Sequence, residues 1–175
     1  MIKPIKKIAL DPDQLELESK LDIIIDSLNS GLFTKLFRAK QPSGIYIYGS
    51  VGSGKSMLAR SFFDKVSDKK LFVHYQDFMR SIHQFFHDNQ GQSKNGLISK
   101  LAQSYAGQAG VICLDEFEIK DITDAMLIGR LVTALVKRGI FIVMTTNTAP
   151  FLHHSWLKGT KRPKNISHCG VSRFA

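Results

Sequence analysis

The 175-residue sequence predicts an α/β fold in which a parallel sheet is covered by helices on both faces. Three observations point there. Short apolar runs of strand length recur along the chain, segments of helical periodicity separate them, and the runs end in polar or glycine-bearing loops. Strands alternating with helices at this spacing build right-handed βαβ crossovers, and strands buried on both faces read as near-continuous apolar runs. Hydrophobic residues make up 43% and charged residues 22%, so the chain can bury a core, and neither a disordered chain nor a fibrous repeat fits. Its length suits one such domain.

The elements follow in order. Asp11 as cap, Pro12 at the first helical position and Gln14 at the third form a capping-box-like start. Leu17, Leu21, Ile24, Ile25 and Leu28 then recur at helical spacing until Asn29-Ser30-Gly31 stops the helix. After Gln41-Pro42-Ser43-Gly44, the run from Ile45 to Tyr48 is the first strand and ends at Gly49. A helix through Met57, Leu58, Phe62 and Val66 comes next, and Leu71 to Tyr75 is the second strand. Asp77 is expected to cap a helix carrying Phe78, Met79, Ile82, Phe85 and Phe86 on one face, whose periodicity marks these aromatics as core rather than a platform for nucleic-acid bases. A polar loop from Asn89 to Asn95 precedes a helix from Leu97 to Tyr105. Val111 to Leu114 is the third strand. Asp121 and Asp124 open an amphipathic helix through Met126, Leu127, Leu131, Leu135 and Val136, closed by Gly139, and Ile140 to Met144 is the fourth strand.

The formal charge of +9 invites a nucleic-acid reading, but its distribution weakens it. Lys158, Lys161, Arg162, Lys164 and Arg173 supply five of those charges in the last 25 residues, which contain no Asp or Glu. We therefore divide the chain into an N-terminal helical segment (1–40), a core (41–150) and a basic divergent tail (151–175). No apolar run has transmembrane length and the first residues lack an apolar signal core, so a cytoplasmic location is expected. Cys113 and Cys169 are far apart, without metal or redox spacing, and are expected to be reduced thiols. His83 and His87 are one helical turn apart, yet no third ligand accompanies them, and a surface or packing role is expected.

Gly49-Ser50-Val51-Gly52-Ser53-Gly54-Lys55-Ser56 fits the pattern G-x-x-x-x-G-K-[ST] between a strand and a helix, the context that separates a phosphate loop from an accidental glycine-rich turn. Glycines let successive backbone N–H groups face a phosphate, and the following helix adds its positive end. Lys55 is expected to reach the β- and γ-phosphates of ATP, and the Ser56 hydroxyl to bind magnesium. Val111-Ile112-Cys113-Leu114-Asp115-Glu116 delivers two carboxylates to the C-terminal end of a strand, where ligands of open parallel sheets bind. Asp115 is expected to hold the magnesium and Glu116 to polarise the attacking water. The residues between Lys55 and Asp115 leave room for a helix, a strand and more helix, so the Asp115 strand need not neighbour the first. In the large class of NTPases with an added strand, the fourth strand inserts between them and carries a polar sensor at its tip, and Asn147 stands where that sensor is expected. The fold expected is thus a P-loop NTPase: three layers, αβα, around a parallel sheet.

These residues resemble the ZapE-like branch of the AAA+ ATPases. The resemblance rests on Gly44 to Gly49 leading into Val51 to Leu58, on Asp77-Phe78-Met79 with His83, on Leu114 to Phe117 through Asp121 to Met126, and on Gly129-Arg130-Leu131 and Thr146-Asn147 to Pro150. It implies ATP hydrolysis coupled to remodelling of a protein partner. Bacterial members are associated with the FtsZ division polymer, mitochondrial ones with inner-membrane protein quality control. Homo-oligomers are compatible with it.

The tail departs from the family pattern. Members of this type are about twice as long and continue through an Arg-bearing segment into a fifth strand and a helical lid. Here only His153-His154-Ser155-Trp156-Leu157-Lys158 keeps a trace of that segment, and 159–175 reads as neither strand nor helix, as a truncated gene or shifted reading frame would produce. The first strand is then expected to have an unpaired edge, and hydrolysis to be impaired for want of an arginine at the γ-phosphate, Arg162 being a weak candidate. Two other readings compete with the ATPase: a nucleotide-dependent, DNA-binding helicase loader, and an ATP-binding fragment without turnover.

Overall fold

The computed structural model describes residues 12–30, 43–147 and 169–174. The elements are α1 (Pro12–Asn29), β1 (Gly44–Gly49), α2 (Lys55–Lys65), β2 (Lys70–His74), α3 (Tyr75–Asp88), α4 (Lys94–Gln108), β3 (Val111–Asp115), α5 (Ile122–Val136), β4 (Phe141–Thr146) and β5 (Cys169–Phe174). They form one five-stranded sheet in the order β2-β3-β4-β1-β5. The first four strands are parallel, and β4 lies between β3 and β1, as expected of the NTPase class with an added strand.

Alternation along the strands builds the three layers. Ile45 and Ile47 of β1, Val111 and Cys113 of β3, and Phe141 and Val143 of β4 pack on one face with Leu17, Leu21, Ile24 and Ile25 of α1 and Leu58 and Phe62 of α2. Tyr46, Ile112, Leu114, Ile142 and Met144 face the other way, onto Phe78 and Ile82 of α3, Leu101 of α4 and Leu131 and Leu135 of α5. Both faces of the central strands are therefore dry, which accounts for their continuous apolar sequence. The first helix is not a separate appendage: it shares the core of β1 and α2.

Four expectations are corrected. The largest concerns the tail. Cys169–Phe174 pairs antiparallel with β1, from Gly44 opposite Phe174 to Gly49 opposite Cys169, so the edge of β1 is covered and the sheet has a fifth strand. Glycine and serine within Cys-Gly-Val-Ser-Arg-Phe dilute the apolar signal of a strand, and an edge strand needs only one dry face. Residues 148–168, including Arg162 and the expected trace segment, lie outside the described residues, as do Asp11 and its cap.

The other three corrections are local. The third helix begins at Tyr75 with His74 as its cap residue, because β2 runs directly into it; Asp77 sits in the first turn and pairs with Arg80 at 2.7 Å. The fourth helix starts earlier than its apolar residues suggest: Ser93 caps it by accepting from the Gly96 N–H at 3.2 Å. Met126 lies on the exposed side of α5, 58% accessible, above a groove between α4 and α5 lined by Asn95, Ile98, Ala125 and Arg130. The α5 start is as expected, with the Asp121 carboxylate accepting from the Thr123 and Asp124 N–H groups.

Candidate nucleotide site

The site grows from the C-terminal edge of the sheet. The loop after β1 turns at Gly52 and Gly54, with φ of 81° and 80°. Such angles cost an L-residue about 1–2 kcal/mol, so glycine is required at both. The Leu58 N–H donates to the Gly54 carbonyl at 2.9 Å and begins α2, whose cap residue, Gly54, offers no side chain. No cap side chain therefore occupies the N-terminal end of α2, the local arrangement that favours an anion.

Side chains complete the cradle. Lys55 is buried, and its Nζ donates back to the Ser50 carbonyl at 2.7 Å, which curls it around the loop. The Ser53 hydroxyl oxygen is buried with no hydrogen-bond partner among the described residues. From α1, Gln14 Nε2 donates to the Ser53 carbonyl at 3.1 Å and braces the loop from outside. In the sequence Gln14 is part of the start of its own helix, and only the packing of α1 against α2 brings it here.

The carboxylates arrive from β3. Asp115 is buried at the last position of the strand, and its Oδ1 accepts from Ser56 Oγ at 2.9 Å and from Thr145 Oγ1 at 2.5 Å. The chain then turns through Glu116, which has φ of 56°, the single positive-φ residue other than glycine among the described residues. That turn exposes Glu116 and sends Phe117 into the core, fully buried and edge-on to Tyr75 and Tyr46 at centroid distances of 4.7 and 5.9 Å. The Glu116 N–H donates to Thr145 Oγ1 at 2.9 Å and the Phe117 N–H to the Thr145 carbonyl at 2.7 Å. Asn147 is exposed one residue beyond β4, and the pairing of Tyr48 with Thr146 makes the phosphate loop and Asn147 leave the sheet side by side.

Electrostatics around the site are set mostly by burial. Desolvation, then the neighbouring Asp115 charge, pushes the Cys113 thiol up, so it is an inert core residue of β3. The Tyr75 phenol is pushed up to about 12, by burial first and then by the Asp124 and Asp121 carboxylates. His83 contacts Asp124 at 2.9 Å across α3 and α5, while His87 is exposed on the polar side. The His83–Asp124 contact ties α3 to the first turn of α5.

The structure thus brings together Gly49, Ser50, Val51, Gly52, Ser53, Gly54, Lys55, Ser56, Asp115 and Glu116, and sets Asn147 at the adjacent strand end. It adds Thr145 and Gln14, which sequence reasoning missed. A threonine inside the buried run from Phe141 to Thr146 was the available signal for the first. The donor set fits a polyphosphate and a hard cation: backbone N–H groups, an ammonium and a hydroxyl beside a carboxylate oxygen.

A sheet of this strand order with this loop between β1 and α2 defines a P-loop nucleotide-binding module of the AAA+ type. A family model described as AFG1-like ATPase matches residues 7–155, and the chain belongs to that family. It is 32% identical over 170 residues to the cell division protein ZapE of Escherichia coli K12, covering 85% of this chain and 45% of that protein. The chain therefore spans about half the length of this curated relative. In three dimensions it is similar to domain III of the Thermotoga maritima replication initiation protein DnaA, with a TM-score of 0.64 at 13% identity, covering 86% of this chain and 58% of that one. The DnaC helicase loader gives a TM-score of 0.58 at 15% identity, covering 82% and 76%. These two likenesses are of fold. Among the described residues no helix is long and apolar enough to cross a membrane.

Proposed function

We propose that this module binds ATP with magnesium on Gly49–Ser56 and hydrolyses it to ADP and phosphate, coupling turnover to a protein partner. The observation that carries the reading is the meeting of Ser56 and Asp115, 59 residues apart in sequence, at 2.9 Å on the C-terminal edge of the sheet. A serine directly after the loop lysine and a strand-end aspartate form the pair that holds the cation in such sites.

Each residue has a part. Lys55 would leave the Ser50 carbonyl and turn to the β- and γ-phosphates. Ser56 and Asp115 would hold magnesium, directly or through water, and the ion when bound would neutralise charge on the phosphates. Glu116, carried into solvent by its left-handed backbone, would polarise the attacking water. Asn147 would contact the γ-phosphate side of the nucleotide from the neighbouring strand. By its kinship with a cell division protein, the partner we assign is the FtsZ polymer in the cytoplasm, with self-association of the module a further expectation.

Two measurements test this. Titration of fluorescent ATP at graded Mg2+ should show Lys55→Ala weakening binding at least about 10-fold, as loss of a charge-assisted contact implies. Asp115→Asn should weaken mainly the magnesium-dependent part; equal affinity in all three proteins would sink the site. Co-sedimentation of FtsZ polymers with the protein should change between ATP and ADP, and indifference to nucleotide would remove that partner.

A further inference from the structure

We infer that Thr145 is a positioning residue whose hydroxyl sets both carboxylates of the site at once. The inference deepens the ATPase reading and rests on it for its functional consequence. A hydroxyl has one hydrogen to give and lone pairs to accept with. Here the hydrogen goes to Asp115 Oδ1 at 2.5 Å, and a lone pair takes the Glu116 N–H at 2.9 Å. Thr145 itself is 2% exposed, so water cannot replace either bond cheaply.

The two bonds do different things. The bond to Asp115 fixes the carboxylate that also accepts from Ser56, on the same oxygen. When Ser56 turns to a cation, Thr145 is the hydroxyl among the described residues that still orients Asp115. The bond from the Glu116 N–H holds a non-glycine residue at φ of 56°, a conformation that persists only where its surroundings enforce it. The Phe117 N–H on the Thr145 carbonyl and the buried Phe117 ring secure the far side of that turn. Thr145 therefore links the direction of the metal-holding carboxylate to that of the water-polarising one, through two bonds made within the protein.

Valine keeps the shape of threonine and removes both bonds. Serine keeps both bonds and removes the methyl group, and alanine removes both, so serine against alanine isolates the hydroxyl even if the valine protein folds poorly. Amide hydrogen exchange followed by NMR gives a readout independent of nucleotide. The Glu116 amide should exchange at least about 10-fold faster in Thr145→Val and Thr145→Ala, while the Phe117 amide, held by a main-chain carbonyl, changes less than about 3-fold. In ATP-binding titrations the half-saturating Mg2+ concentration should rise about 10-fold in both and stay within about 2-fold of wild type in Thr145→Ser, the range expected for groups behind a metal ligand. In turnover, kcat should fall about 10–100-fold with KM for ATP changed less than about 3-fold. A serine variant as impaired as alanine, or a valine variant with wild-type exchange at Glu116 and wild-type Mg2+ dependence, overturns the inference. If the wild-type protein hydrolyses no ATP, the ATPase reading fails on its own, and the exchange and Mg2+ arms still decide the role of Thr145.

Discussion

Gln14, in the first turn of α1, donates its side-chain amide to the carbonyl of Ser53 in the phosphate loop at 3.1 Å, across 39 residues of sequence. A neutral hydrogen bond of this kind contributes about 1 kcal/mol net, enough to bias the loop between conformations but not to make it. Gln14→Ala should therefore weaken ATP binding by no more than about 5-fold, with the fold intact. Gln14→Glu should be worse, because a carboxylate would face a carbonyl beside an anion site. Titration of labelled ATP gives the order, and a glutamate variant that binds as wild type would remove Gln14 from the account.

Gly54 makes the same relationship testable from the other side. A Cβ there would lie 2.8 Å from Gln14 Nε2 at a φ of 80°, whereas at Gly52 the added atom meets open space. Gly52→Ala then carries only the backbone cost of about 1–2 kcal/mol, and Gly54→Ala carries that plus displacement of the Gln14 amide from its bond to Ser53, worth about 1 kcal/mol. In thermal unfolding, Gly54→Ala should cost less in a Gln14→Ala background than in wild type, because both remove the same bond, while Gly52→Ala should cost the same in either. Additivity in both pairs would contradict the packing of α1 on the loop.

Phe117 anchors the turn that presents Glu116. Its ring is fully buried against Tyr46 and Tyr75, so Phe117→Ala should cost about 3–5 kcal/mol in urea unfolding, and Phe117→Leu clearly less. A loss below about 1 kcal/mol for the alanine variant would mean that the turn is not held from the core.

Asp121 gives a pH signature. Hydrogen bonds from the Thr123 N–H, then the Asp124 N–H, hold its carboxyl below the ordinary carboxylate range. A lowered folded-state pKa contributes stability that is present above the unfolded value, about 3.9, and is lost as pH falls through the lowered one. Asp121→Asn keeps a cap of similar quality but cannot titrate. The difference in melting temperature between the two proteins should therefore shrink as pH falls below about 4, and a constant difference from pH 7 to 3 would contradict the assignment.

The central strands, the loop and the carboxylates were legible because their signals are local: a fixed glycine spacing, apolar runs closed by charge, helical periodicity. The place of β4 between β3 and β1 came from the NTPase class that these motifs resemble; the spacing from Lys55 to Asp115 said only that the Asp115 strand need not neighbour the first. What stayed hidden is contact between distant segments. Gln14 reads as part of its own helix start until α1 is packed, and Thr145 as one polar residue closing a strand until Asp115 and Glu116 stand beside it. The strand Cys169–Phe174 was missed for another reason: pairing with β1 is settled by the partner's open edge, which a six-residue stretch containing glycine, serine and arginine does not announce. Met126 shows the limit of reading a face from apolar residues alone: the buried stripe of α5 is Ile128, Leu131, Val132 and Leu135, and Met126 falls on the opposite, exposed side.

The most direct test of the whole account is ATP binding and phosphate release by Glu116→Gln beside wild type. Glutamine keeps the size and backbone of Glu116 but cannot polarise water as a carboxylate does. The account predicts ATP affinity within about 3-fold of wild type with turnover reduced at least about 100-fold, the separation expected when a group acts only in the chemical step. Equal turnover in the two proteins would contradict it.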